Sequence, residues 1–83
     1  MSEDADVLLR VGEQLVRFRS EEGLSLEEAA EGSEIDAERL ASAEAGELAL
    51  TETELADLAE IYGIELTQFF GGGVTPMSYL FGA

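Results

Sequence analysis

Helix starts and helix stops alternate along this chain at intervals that leave room only for short helices. Ser25 with Glu28, and Thr51 with Glu54, have capping-box spacing: the first side chain accepts from the N3 amide and the acid reaches back to the cap's own N–H. Asp36 offers a third N-cap. Gly23, Gly46 and Gly63 each follow an apolar-periodic run, where a helix closes on a left-handed residue. The first helix is expected over Val7–Glu22, with Val7, Leu8, Val11, Leu15 and Phe18 on one face. A second runs from Ser25 to near Gly32, and a third covers Ala37–Ala45. A fourth follows Thr51, with Leu55, Leu58, Ala59 and Tyr62 inward, and Thr67 is predicted to cap a last turn holding Phe69 and Phe70. The expected fold is all-α, a compact bundle of about five short helices plus an apolar C-terminal tail.

The length of 83 residues suits one small core. Residues 1–70 form the expected domain and 71–83 the tail. Gly71–Gly73 read as a flexible hinge, and the residues beyond them carry no charge. Met77, Tyr79, Leu80 and Phe81 are therefore expected either to cover the core or to dock on a second copy or a partner.

Acids outnumber bases 19 to 4, every base is an arginine, and the formal net charge is −15. Such a field repels nucleic acid and anionic membranes and attracts basic proteins; uniform acidity from a high-salt cytoplasm is the plainer alternative. Cysteine and histidine are both absent. That removes disulfides, thiolate metal sites and the commonest general base. Neither a nucleophile–base pair nor a metal cluster is discernible, so catalysis, cofactors and metals are not expected. No apolar run approaches the roughly 20 residues that span a bilayer, and the acidic start is unlike a signal peptide, so the cytoplasm is the expected compartment.

The order and spacing of these pieces resemble the lambda-repressor/Cro-like (XRE) helix-turn-helix family. Val11–Ala30 looks like the family's first helix leading into its second, Ser42–Gly46 like the end of its third, and Leu55–Phe70 like its fourth helix and closing turn. The resemblance implies a structural ion pair between Arg19 and Glu44, of the bidentate kind that fixes a helix crossing. It also places the DNA-reading positions at Asp36, Ala37, Glu38 and Ser42, and a phosphate and base contact at Glu27. Here the chain departs from the family. Between Ser25 and Glu47 there are eight acids (Glu27, Glu28, Glu31, Glu34, Asp36, Glu38, Glu44, Glu47) against one base, Arg39. Glu34 stands at the turn where the family often has glycine, and Glu47 at an exit that is often basic. Arg10 and Arg17 are expected to pair along helix 1 with Glu13 and Glu21.

Phosphate neutralisation by Lys and Arg drives nucleic-acid binding, and its loss removes orders of magnitude of affinity. The expectation from sequence is thus a transcription-regulatory helix-turn-helix protein acting mainly through protein contacts. Its acidic face (Glu27, Glu31, Glu34, Asp36, Glu38, Ser42, Glu47) would bind a basic partner, such as a regulator, nuclease or polymerase subunit, and could compete with DNA. The alternative is a direct sequence-specific DNA-binding regulator, salt-adapted or working as a heterodimer. A homodimer through the tail is a third expectation.

Overall fold

The computed structural model describes residues 3–70, with side chains from residue 6 onward. Four α-helices follow one another: α1 (Glu3–Glu21), α2 (Leu26–Ser33), α3 (Ala37–Glu44) and α4 (Glu52–Tyr62), closed by a 3-10 turn over Leu66–Phe70. The described residues contain no strand, in agreement with the all-α expectation. The tail, including its glycine hinge and Met77, Tyr79, Leu80 and Phe81, lies outside the described residues.

The starts fall where the caps predicted them. Ser25 and Thr51 each accept from the backbone N–H three residues on (3.1 Å in both cases), and Glu28 and Glu54 return the bond at 2.8 Å. Asp36 Oδ1 accepts from the Glu38 N–H at 2.8 Å. At the other ends, all four α-helices close with the same paired backbone bonds, a 6→1 and a 5→2 contact around a left-handed residue. Gly23, Gly46 and Gly63 fill three of those positions. The fourth is Glu34, at φ 60°, the one non-glycine residue with positive φ among the described residues. An L-residue there costs about 1 kcal/mol relative to glycine.

Helix α2 ends at Ser33, near Gly32 as expected, and its left-handed closing residue is Glu34. Two expectations need correction. Helix α1 begins at Glu3 rather than Val7, because no breaker precedes Val7 and an acidic first turn suits the positive end of the helix dipole. Thr67 does not cap the last turn. Gln68 does so instead, its Oε1 accepting the Glu65 N–H at 2.9 Å.

The core lies where these elements meet. Leu15, Leu40, Leu55, Leu58 and Phe69 are fully enclosed, and each contributes about 2 kcal/mol through burial of apolar surface. Phe69 meets the rings of Phe18 (6.0 Å) and Tyr62 (6.4 Å) edge-on, so the closing turn locks α1 to α4. Helix α3 packs on α1 and α2, which holds the α2–α3 pair against the rest of the molecule.

Candidate nucleic-acid interface

Three residues bring α3 to α1. Gly12 is buried in α1, and a Cβ there would stand 2.7 Å from the Glu44 carbonyl oxygen and 2.8 Å from that of Ala43. The two backbones thus approach more closely than any side chain permits. Two turns further along α1, Arg19 grips the Glu44 side chain: Nε donates to Oε2 at 2.8 Å and Nη2 to Oε1 at 3.1 Å. Its remaining Nη1 donates to the Leu24 carbonyl at 3.0 Å, tying in the loop that enters α2. The side chains are only 18% and 10% exposed, and the hydrogen bonds to Glu44 hold the Arg19 guanidinium charged beyond its ordinary range. The ion pair implied by resemblance is therefore present as a bidentate brace. Just beyond that same C-terminal end of α3, Gly46 turns at φ 78° against Leu9, where a Cβ would come within 2.6 Å of a Leu9 methyl.

The α2–turn–α3 unit is anchored from beneath. Ala29, Ala30, Ser33, Ile35, Leu40 and Ala43 are buried, with Ser33 Oγ donating to the Ala29 carbonyl at 2.7 Å. What remains outward is acidic. Glu27, Glu28, Glu31, Glu34, Asp36, Glu38 and Glu47 are all exposed, whereas Ala37 and Ser42 are half-buried. Of the eight acids in this stretch, Glu44 alone among the described side chains turns inward, to Arg19. Every residue predicted for the acidic face except Ser42 is therefore exposed, although one of its carboxylates also has a structural duty. Asp36 caps α3, while the neighbouring Glu28, outside that predicted set, completes the α2 box.

The arginines are deployed elsewhere. Arg17 pairs with Glu21 at 3.1 Å on the exposed side of α1, as expected, while Arg10 makes no pair with Glu13. Arg39, in the first turn of α3, points to the start of α4. Its Nε donates to Glu54 Oε2 at 2.8 Å and its Nη2 to Glu54 Oε1 at 2.9 Å. That hydrogen bonding, ahead of the opposing effect of burial, draws the Glu54 carboxyl below its ordinary pKa. Glu54 thus serves Arg39 and the Thr51 capping box at once. Sequence reasoning identified the cap but missed this bridge, because two residues on different helices show no periodic relation. Glycine 12 was missed for the same reason.

No group of three or more acidic, Cys or His side chains among the described residues is disposed to hold a metal ion. None of the described helices is long and apolar enough to cross a membrane. A family model described as a helix-turn-helix domain matches residues 10–68, spanning α1 from Arg10 through most of the closing turn. No characterised protein and no solved structure gave a significant match. The match covers most of the chain and coincides with the braced α2–α3 unit, so the protein belongs to the helix-turn-helix domain family.

Proposed function

We propose that this domain is a DNA-binding regulator that presents α3 to the major groove. The observation that carries this reading is the intact bracing of α3: Gly12, Arg19 and Glu44 hold the helix rigidly on α1 while its outer side stays open. Rigid presentation of one helix is what groove insertion requires. The family match supports the same reading and reverses the order of preference drawn from charge alone. Nothing in a helix-turn-helix of this kind calls for catalysis.

The acidic face then governs conditions rather than function. Repulsion between the carboxylates and phosphates reaches about 10 Å at 0.1 M salt but only about 3 Å at 1 M. Short-range contacts survive that screening. A carboxylate such as Glu38 can accept from cytosine N4, and the Ser42 hydroxyl can both donate and accept. Binding is therefore expected to strengthen with salt, opposite to the usual dependence on counterion release.

Anisotropy of a labelled short-duplex pool tests this, at low salt and again at about 2 M KCl, where screening is nearly complete. Binding at high salt supports the proposal; no binding at any salt sinks it.

A second reading is favoured by one observation, the exposure of seven acids on and around α2 and α3 while Arg39 is engaged with Glu54. In that reading the face docks a basic protein surface, and such docking weakens with salt. Changing Glu34, Asp36 and Glu38 together to Gln, Asn and Gln separates the two. Asn keeps the α3 cap, so the fold survives. DNA affinity at low salt should rise, whereas affinity for a basic protein should fall.

A further inference from the structure

Arg39 is the one base between Ser25 and Glu47, and its partner has two allegiances. Glu54 Oε1 accepts from Arg39 Nη2 at 2.9 Å and from the Thr51 N–H at 2.8 Å, and the carboxylate lies in the first turn of α4. Were Arg39 to leave, Glu54 would keep the backbone N–H and the favourable end of the α4 dipole. Arg19 sits instead in a nearly enclosed site, where Glu44 is its bidentate partner and the Leu24 carbonyl accepts from Nη1. The Arg39 side chain is 37% exposed, twice the value for Arg19, and it stands beside the reading positions Ala37 and Glu38. A guanidinium fork fits two oxygens of a phosphate as well as two of a carboxylate.

We propose that Arg39 is the phosphate-contacting residue of this helix-turn-helix and that Glu54 is its internal stand-in for phosphate, released when DNA binds. The inference rests on the direct DNA-binding reading above and adds a mechanism to it: one arginine exchanges a carboxylate for a backbone phosphate. In the free protein the bridge keeps the reading helix without an available cation. Bound to DNA, the same arginine supplies the one strong electrostatic contact that the acidic face lacks.

Glu54→Gln is the informative variant, since glutamine still completes the capping box but carries no charge for Arg39. Duplex binding would be measured across a KCl series for the wild type, Glu54→Gln, Arg39→Ala and the double variant. Glu54→Gln should tighten binding about fivefold, the scale of one partly exposed ion pair. Arg39→Ala should shift the log–log salt slope by about +0.9, the loss of one neutralised phosphate. In the Arg39→Ala background the gain from Glu54→Gln should vanish. A gain that persists there would reflect general relief of negative charge and would overturn the exchange. Should Arg39→Ala fail to fold, the Nε–H resonance of Arg39 in nitrogen-labelled wild-type protein still decides. It should move on adding DNA while that of Arg19 stays put; an unmoved Arg39 signal in a DNA-bound protein overturns the proposal and leaves direct DNA binding standing. No DNA binding by wild type or Glu54→Gln at any salt removes both.

Discussion

Along its inner edge α3 meets Gly12 and Arg19 of α1, while on its outer side Glu38, with Glu34 and Asp36 from the adjoining turn, faces solvent. The inner edge tolerates no added atom and leaves no charge unmatched. On the outer side like charges stand in water with no base beside them except Arg39, which is bound to Glu54. Burial explains the difference. At the seam, desolvation makes an unpaired charge cost several kcal/mol, so Glu44 must have Arg19. Exposed carboxylates lose little hydration and repel one another only weakly through screened solvent, so an acidic surface is compatible with stability. Fold and surface charge are thus set by separate demands.

The seam can be broken most severely at Gly12. A valine there would press its methyls on the Glu44 and Ala43 carbonyls, and the helices would have to part. Gly12→Val should lower stability by about 4 kcal/mol, a large share of what a small domain possesses. Thermal unfolding followed by circular dichroism would show it, and a melting temperature like that of the wild type would mean that the close approach is not required. Next in size is Glu44→Ala, which strands the Arg19 charge in a site with little access to water. A loss of about 3 kcal/mol is expected from denaturant unfolding. The contrast sharpens if neutralising Glu34, Asp36 and Glu38 changes stability by less than about 0.5 kcal/mol in the same assay, as exposed positions should.

The smallest effect concerns Tyr62 and depends on pH. Burial, with a further contribution from the nearby Glu44 charge, pushes its phenol from 10.0 up to about 12. The folded state therefore holds the proton more tightly than the unfolded one. The resulting stability is fully present below pH 10 and is lost as pH rises from there towards about 12. Tyr62→Phe should remove that alkaline loss. Near neutral pH it should change little, because the Tyr62 hydroxyl has no hydrogen-bond partner among the described residues. An alkaline loss that survives the substitution would place its origin elsewhere.

Much of this molecule was legible in its residues. Ser25, Asp36 and Thr51 announced three helix starts, and Gly23, Gly46 and Gly63 marked three closures, because capping is decided by side chains within four residues of the backbone they serve. The acidity of the α2–α3 surface was equally plain, since charge on an amphipathic helix lies away from the apolar stripe. Local chemistry was less decisive at the last turn. Gln68, not Thr67, caps its start, because the Gln68 side chain reaches the free N–H of Glu65 three residues before it.

Sequence alone, then, determined four helices, the inward residues and a strongly negative outer surface. It identified the Arg19–Glu44 pair only through resemblance, as no local rule links residues on α1 and α3. Tertiary structure alone decided that Gly12 is the point of contact between those helices and that Arg39 is committed to Glu54. Both depend on which backbones are brought within a few ångströms of each other. That distance is set by packing the whole core, and no spacing along the chain records it.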